Sequence, residues 1–437
     1  MSKIHLISIG GAVMHNIALA LQENGHTVSG SDDEIYNPSK RRLLDAGLLP
    51  AEIGWHPERI HSGLDAIILG MHAREGNPEM EKSKELGIPM YSFPEYIYEH
   101  AKDKKRVVVA GSHGKTSTTS MIMHALKREG IEFDYLVGGQ IEGFDLMVRL
   151  SDAPLIILEG DEYLSSALDR RPKMLLYKPH IGVVTGIAWD HMNVFPTFEI
   201  YKEQFDLFLD TFESDGKVFC FSPDQEVKDL MDRNDGHQTE IIAYDKIGDD
   251  QMKEMQIFGP HNQANLRAAE LVCNELGMSS EVFMGHMIEF TGTAKRLQKL
   301  IDRPGLKVFF DFAHAPSKLR ATVEAVRLEY PDYNFIALYE LHTFSSLNKD
   351  FIMHYAGTMD HADKGLVFYN AHTLAMKKMP DLSADFVKGA FANDQLEICT
   401  EREQLETFVT NNKKENTVFL FMTSGNFGKL DINSMFD

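Results

Sequence analysis

Short apolar runs alternate with amphipathic helical segments along nearly the whole chain. The N-terminal part contains the runs KIHLISI, LDAIILG and IPMYSF, with a helical pattern from about Met14 to Asn24 between the first two. Strands that are buried on both faces read as continuous apolar runs, and their alternation with helices is typical of a parallel sheet covered by helices. The pattern therefore predicts an α/β fold.

The alternation falls into three series, which predict three domains. The second series runs from RVVVAG through APLIILEG and HIGVVTG, and the third from LKVFFDFAH through NFIALYE and KGLVFYN to NTVFLFMTSG. We predict an N-terminal domain over residues 1–104, a central domain over 105–300 and a C-terminal domain over 301–437. A length of 437 residues is compatible with about three domains.

Composition narrows the class of protein. Apolar residues make up 43% of the chain, and 44 basic against 65 acidic side chains give a formal charge of −21. This charge argues against a general nucleic-acid or membrane-surface protein, so any anionic ligand must be held by local groups. The three cysteines (Cys220, Cys273 and Cys399) have no metal-binding spacing, and no apolar stretch approaches the roughly 20 residues of a membrane span. We therefore expect a cytoplasmic protein.

The strongest local motif lies between an apolar run and a helical pattern. After VVVA come the residues Gly111, Ser112, His113, Gly114, Lys115, Thr116 and Ser117. A glycine-rich turn between a strand and a helix points backbone N–H groups at phosphate oxygens, and a following lysine and threonine suit the terminal phosphates and a magnesium ion. The motif predicts a nucleotide-phosphate loop, although it has two residues between its glycines instead of the usual four.

The N-terminal turn at Gly10 and Gly11 leaves two interpretations open. Ser8 and Val13 occupy positions where a dinucleotide fingerprint needs glycine. The turn is therefore either a tight connection between strand and helix or a cradle for a pyrophosphate. Asp32, at the end of the second strand, favours the cradle because ribose contacts commonly lie there.

Polar residues also follow two central strands. Glu159, Asp161 and Glu162 end APLIILEG, and Asp190 and His191 follow HIGVVTG. Carboxylate oxygens at the carboxyl end of a strand suit magnesium, whereas a solvated acidic turn is the plainer interpretation in so acidic a chain.

Six motifs occur in the order that they have in the Mur ligase family, and on them the chain resembles that family. They are GSHGKTST, LEGDEY, WDHM, GPHNQAN, GTAKR and DFAHAP. The resemblance implies a Rossmann-like N-terminal domain, a central P-loop ATPase-like domain and a C-terminal Rossmann-like domain. It also implies an ATP-dependent ligase that forms an amide bond, with magnesium as the metal.

The resemblance further assigns residues to ligands. Gly10, Gly11 and Asp32 would bind a UDP-sugar, and His314 would face the substrate. Residues 111–117 would bind ATP, together with Asn262, Asn265, Arg296 and Asp311. Thr116, Glu159 and His191 would hold the metal, and the catalytic set would be Lys115, Glu159, His191 and Arg296.

Two branches of the family are compatible with the chain. DEYLSSALDRRPKMLLYKP resembles ligases that attach the tripeptide L-Ala-γ-D-Glu-meso-diaminopimelate to UDP-N-acetylmuramate, whereas TSGNFGK resembles the branch that attaches L-alanine. We favour the tripeptide, although ELHTFSSLN lacks the arginine expected near the incoming amine. The oligomeric state is open. Alternatives are a folylpolyglutamate-type ligase, a non-catalytic UDP-sugar-binding protein and, least favoured, a nicotinamide-dependent oxidoreductase.

Overall fold

The N-terminal sheet has four strands, all parallel, in the order β2-β1-β3-β4. These and all further elements come from a computed structural model, which describes residues 1–192 and 194–436. The strands are β1 (Lys3–Ile7), β2 (Thr27–Ser31), β3 (Ala66–Leu69) and β4 (Met90–Ser92), and the helices are α1 (Ala12–Glu23), α2 (Ser39–Asp45), α3 (Pro78–Glu85) and α4 (Phe93–Ala101). Buried side chains of β1 and β3 pack against Met80 of α3, which supplies a small apolar core.

The central sheet has seven strands in the order β11-β10-β9-β5-β8-β6-β7, and only β7 runs antiparallel to its neighbour. Its strands are β5 (Lys105–Ala110), β6 (Asp134–Leu136), β7 (Val148–Arg149), β8 (Leu155–Gly160), β9 (Ile181–Val184), β10 (Lys217–Phe221) and β11 (Glu240–Tyr244). The helices of this part of the chain are α5 (Lys115–Glu129), α6 (Phe198–Leu209), α7 (Gln225–Arg233), α8 (Asp249–Met252), α9 (Pro260–Glu275) and α10 (Ser280–Met287). The strands β5, β8 and β9 are neighbours, so the loops that follow them share one edge.

The third sheet has six strands in the order β12-β13-β17-β14-β15-β16, with only β12 antiparallel. Its elements are β12 (Gln298–Arg303), β13 (Leu306–Asp311), α11 (Pro316–Glu329), β14 (Asn334–Glu340), β15 (Lys364–Phe368), α12 (Ala371–Met376), α13 (Ala384–Phe391), β16 (Leu396–Cys399), α14 (Arg402–Asn412) and β17 (Thr417–Met422). Every residue of β17 is buried, with Val418 and Leu420 in one core and Phe419 and Phe421 in another. This is why the strand reads as an unbroken apolar run, since both faces of the sheet are covered.

The three sheets confirm the predicted α/β class. The chain also divides into two compact units. The first contains Met1–Ile187, Glu199–Asp245 and Ala268–His286, and the second contains Ala188–Phe198, Lys246–Arg267 and Met287–Asp437. The first two sheets belong to the first unit and the third sheet to the second unit. The domain boundaries at residues 104 and 300 stay a prediction; the first lies just before β5, and β12 begins at Gln298.

Over the described residues, no helix combines the length and the apolar character that crossing a bilayer requires.

A fully buried arginine joins α4 to the central sheet. The Arg106 side chain is 1% exposed, and its guanidinium donates hydrogen bonds to the carbonyl oxygens of Ala101 (3.0 Å), Lys102 (2.6 Å) and Lys178 (2.8 Å) and pairs with Glu213. Ala101 and Lys102 lie at the C-terminus of α4, where carbonyl groups have no partner within the helix. The arginine therefore satisfies acceptors that would otherwise be buried without a donor.

We expect Arg106→Met to lower the free energy of unfolding by about 3–5 kcal/mol, because the buried carbonyls and Glu213 lose their donor. Urea denaturation measures the change. Arg149→Met is the matched control, since Arg149 is 44% exposed and pairs with the exposed Glu132, and we expect it to cost under about 1 kcal/mol. Equal stability of the two variants would contradict the assigned role of Arg106.

Candidate active site

The predicted phosphate loop connects β5 to α5 and depends on two glycines. Gly111 has φ +127° and Gly114, which is the N-cap of α5, has φ +82°, both in the region that glycine adopts most readily. A Cβ atom on Gly111 would also collide with the side chain of Thr185 at the end of β9. The glycine N-cap has no side chain to cap α5, so the helix N-terminus suits an anion.

Lys115 folds back over this loop. Its Nζ donates hydrogen bonds to the carbonyl oxygen of Gly111 at 2.5 Å and to Oε2 of the buried Glu162 at 2.6 Å. Burial alone would lower the pKa of Lys115, but the carboxylate of Glu162 raises the pKa above its ordinary value. The side chain is therefore a cation held at the place where the loop would receive phosphate oxygens.

Thr116 and Glu159, two of the predicted metal residues, lie together. The Thr116 hydroxyl donates to Glu159 Oε1 at 2.9 Å, and the Gly138 N–H donates to Glu159 Oε2 at 2.9 Å. Magnesium prefers such oxygen donors and keeps several water ligands, so a hydroxyl and a carboxylate beside the phosphate loop fit this ion. The family resemblance assigned both residues to one metal but did not indicate this contact, which arises because β5 and β8 are parallel neighbours.

A tyrosine that the sequence analysis did not single out completes the hydrogen-bond network. The hydroxyl of Tyr201, fully buried on α6, lies 2.6 Å from Ser112 Oγ and donates to Glu162 Oε1 at 3.2 Å. Tyr201 thus joins the phosphate loop to the carboxylate that holds Lys115. Its position in the sequence offers no distinctive signal, because an aromatic residue on an amphipathic helix reads as an ordinary core residue.

The N-terminal turn forms a tight polar cluster. The N–H of Gly10 donates to Oδ2 of the buried Asp32 at 2.7 Å, and a Cβ on Gly10 would lie 2.9 Å from the same oxygen. Burial raises the pKa of Asp32, although hydrogen bonds from Gly10 and His72 oppose the rise. Gly11 is the N-cap of α1. His72, which the sequence analysis missed, places Nδ1 3.2 Å from Asp32 Oδ1. The predicted UDP-sugar residues Gly10, Gly11 and Asp32 therefore lie together.

The remaining predicted residues belong to the second compact unit. His191 has φ +56°, and its backbone N–H donates to Asp190 Oδ1 at 2.8 Å. Although burial would raise the pKa of Asp190, Lys318 Nζ, 3.1 Å from Asp190 Oδ2, lowers the pKa well below its usual range. The loop that carries His191 is thus held by an ion pair within this unit.

Arg296 and Asp311 lie on adjacent segments of the same unit. The guanidinium of Arg296 stacks 4.8 Å from the centre of the Phe312 ring, and Asp311 accepts hydrogen bonds from the N–H groups of Leu297 (2.5 Å) and Ala313 (2.6 Å). Burial raises the pKa of Asp311, and the charge of Arg296 opposes this. These contacts hold Asp311 at the carboxyl end of β13.

The paired asparagines and His314 are also fixed within this unit. Asn262 and Asn265 lie one turn apart on α9, and Asn262 Nδ2 donates to the carbonyl oxygen of Phe258 at 2.9 Å. The His314 ring is 2.8 Å from the carbonyl oxygen of Phe312, and burial lowers its pKa to about 3. The structure thus brings residues 111–117 together with Glu159 in one unit, and His191, Asn262, Asn265, Arg296, Asp311 and His314 belong to the other.

Two family models match the chain. The Mur ligase family catalytic-domain model matches residues 3–105, and the Mur ligase middle-domain model matches residues 109–283. A UDP-N-acetylmuramate–L-alanine ligase from Caldanaerobacter subterraneus subsp. tengcongensis is 31% identical, and the match covers 84% of this chain and 82% of the relative. The chain belongs to the Mur ligase family. Mur ligases are ATP-dependent enzymes that form amide bonds, so this Mur ligase is an enzyme of that class.

Two further comparisons concern a second kind of Mur ligase. A UDP-N-acetylmuramate–L-alanyl-γ-D-glutamyl-meso-2,6-diaminoheptandioate ligase from Haemophilus influenzae is 27% identical over 75% of this chain and 76% of the relative. The crystal structure of a murein peptide ligase from Psychrobacter arcticus matches with a TM-score of 0.67 and 22% identity, covering 98% of this Mur ligase and 97% of that chain. At 22% identity, this match shows that the two proteins share a fold.

Proposed function

We propose that this Mur ligase joins UDP-N-acetylmuramate to the tripeptide L-Ala-γ-D-Glu-meso-diaminopimelate at the expense of ATP. The observation that carries the choice of tripeptide is the segment at 161–179, DEYLSSALDRRPKMLLYKP, which resembles the peptide-attaching branch. The Haemophilus relative, which is named for this peptide, supports the same choice.

This segment forms an ordered loop beside the predicted phosphate loop. It begins directly after β8 and folds back on itself, with Ser165 N–H donating to the carbonyl oxygen of Arg171 at 3.0 Å and Lys173 N–H donating to that of Tyr163 at 3.1 Å. Its Glu162 pairs with Lys115. The residues that carry the resemblance are therefore coupled to the residues proposed to bind ATP.

In the proposed reaction, the lactyl carboxylate of UDP-N-acetylmuramate attacks the γ-phosphorus of ATP, which releases ADP and gives an acyl phosphate. The amine of the peptide then attacks the acyl carbon, so an amide forms and inorganic phosphate leaves. Catalysis of such transfers depends mainly on positioning and on charge neutralisation. We assign the N–H groups of the phosphate loop and Lys115 to the ATP phosphates, with Arg296 as a further cation.

Thr116 and Glu159 would hold a magnesium ion, and His191 is assigned to the same metal from the family motif. Bound magnesium would neutralise negative charge on the phosphate oxygens. The chain's own contribution is to orient the Glu159 carboxylate through the donors Thr116 and Gly138.

L-Alanine is the second candidate amine, and a specific observation favours it. The Caldanaerobacter relative is named as an L-alanine ligase and is 31% identical. The two reactions share the same acid, nucleotide and acyl phosphate, so they differ only in the amine.

The test is an amine panel with the purified enzyme, ATP, magnesium and UDP-N-acetylmuramate. We expect phosphate release and a product of the tripeptide-linked mass with L-Ala-γ-D-Glu-meso-diaminopimelate, and little turnover with L-alanine. Turnover with L-alanine but not with the tripeptide would contradict the proposal and show that the enzyme is an L-alanine ligase. Binding of UDP-N-acetylmuramate without turnover of either amine would indicate a non-catalytic UDP-sugar-binding protein.

A further inference from the structure

The third sheet presents loops at a shared edge where a substrate can bind. The parallel neighbours β17, β14 and β15 end at Met422, Glu340 and Phe368, so the loops after them lie along one edge. Open α/β sheets bind ligands outside the carboxyl ends of their strands. Most residues assigned to the UDP-sugar and to ATP lie on the first two sheets, and Arg296 and Asp311 lie beside β13, so the loops after β14 and β15 remain for the incoming amine.

Polar groups converge at this edge. Glu340 is buried and accepts a hydrogen bond from the N–H of Phe427 at 2.8 Å. A Cβ on Gly425 would lie 2.5 Å from His342 Nδ1 and 2.7 Å from Glu340 Oε2, so the loops after β14 and β17 are in close contact. Within the described chain, the buried atom Ser424 Oγ has no hydrogen-bond partner, and His342 Nδ1 lies 3.8 Å from Glu340 Oε1. A buried hydroxyl without a partner is suited to a polar ligand.

The amine substrate also needs a cation. L-Alanine and the tripeptide both react through an amine and keep at least one free carboxylate. The loop after β14 has no lysine or arginine between Glu340 and Asn348. A carboxylate that is taken out of water needs a positively charged partner to offset its desolvation.

Lys377 supplies a positive charge beside this loop. It directly follows α12, the helix after β15, and its Nζ lies 4.4 Å from the centre of the Phe344 ring in the loop after β14. A cation at this distance from an aromatic face is held by the ring. Lys377 is partly buried, and burial lowers its pKa.

The surroundings of Lys377 differ from those of four other partly buried lysines. Lys104, Lys115, Lys173 and Lys318 each form an ion pair with an aspartate or a glutamate. Lys377 has no acidic partner within 4 Å among residues 1–192 and 194–436, in a chain with a net charge of −21. The partly desolvated ammonium group of Lys377 contacts an aromatic ring and no carboxylate, so it can still form an ion pair with an anionic ligand.

We propose that Lys377 binds a carboxylate of the incoming amine substrate and that Phe344 holds the lysine in place. The inference rests on the proposed function as an amide-forming ligase, but it is the same for L-alanine and for the tripeptide. It makes Lys377 a determinant of substrate specificity, with no part in activating ATP.

The experiment compares each amine substrate with its carboxamide form, such as L-alanine with L-alaninamide, in the wild type and in Lys377→Met. We expect the variant to raise the KM for the carboxylate substrate about 10- to 100-fold. The wild-type preference for the carboxylate over the carboxamide should then be lost. The KM values for ATP and UDP-N-acetylmuramate and the kcat at saturating amine stay within about twofold of wild type, because only a binding contact is lost.

Two further variants separate this role from a structural one. Lys377→Arg keeps the positive charge and should retain the preference for the carboxylate. Lys413→Met is the matched control, since Lys413 also lies over an aromatic ring, 5.1 Å from the centre of Phe436, but follows α14 and precedes β17 at the other end of the strands. We expect Lys413→Met to keep wild-type kinetics.

The proposal is overturned if Lys377→Met keeps the preference for the carboxylate, or if its KM rises equally for the carboxamide. A fall in kcat with an unchanged KM would also overturn it. Wild-type product formation tests the proposed function separately, so the role of Lys377 can fail while the ligase activity stands.

Discussion

Replacing Lys115 by alanine is expected to lower product formation about 1000-fold or more, because removing a cation from a phosphoryl-transfer site typically costs that much. Lys115 is buried, hydrogen-bonded to the phosphate loop through Gly111 and paired with Glu162. Its loss removes the positive charge beside the loop and leaves Glu162 as a buried carboxylate with one fewer donor. Phosphate release and product mass, measured at saturating ATP and UDP-N-acetylmuramate, check the prediction.

Lys127→Ala is the matched control for Lys115→Ala. Lys127 lies on the same helix, α5, but in its last turn, where it donates to the carbonyl oxygen of Gly143 at 2.7 Å. We expect this variant to keep wild-type turnover. Unchanged turnover in Lys115→Ala would refute the assignment of this lysine to the ATP phosphates, and a circular dichroism spectrum equal to wild type would show that the variant folds.

The second large effect is expected for Glu159→Gln. The substitution keeps the size of the side chain but removes the negative charge that a magnesium ion needs, and its amide can accept from only one of the two donors, Thr116 and Gly138. We expect the magnesium concentration for half-maximal activity to rise about 10- to 100-fold, a typical cost of disturbing a metal site.

A magnesium titration of the initial rate distinguishes this effect from a loss of fold. Glu132→Gln is the matched control, because Glu132 is 71% exposed and pairs with Arg149. We expect the control to keep the wild-type magnesium dependence. A Glu159→Gln variant with the same magnesium dependence as the wild type would show that this carboxylate does not bind the metal.

The sequence predicted the parts of the fold that depend on local patterns. Continuous apolar runs such as TVFLFM are buried on both faces and form parallel strands, since covered sheets leave no polar face. Residues 111–117 are contiguous, so a glycine-rich turn between a strand and a helix could be recognised from their order alone. The α/β class and the family were predicted for the same reason.

Contacts between distant segments could not be predicted in this way. Lys115 and Glu162 are 47 residues apart, and Ser112 and Tyr201 are 89 residues apart. By its place in the sequence, Glu162 belongs to an acidic cluster suited to a metal, whereas the structure pairs this carboxylate with Lys115. The partners of a polar side chain depend on which elements the fold brings together, and a local sequence pattern does not indicate those partners.

By itself, the sequence determined the succession of strands and helices, the glycine-rich turn between β5 and α5 and the ordered motifs of a Mur ligase. These properties follow from backbone preferences and from burial of apolar residues over short stretches. Only the tertiary structure decided that Glu159 meets Thr116, that Tyr201 joins Ser112 to Glu162, and that Lys377 lies over Phe344. Each of these contacts joins side chains from separate elements, so it exists only after the sheets have formed and the loops at their edges have met.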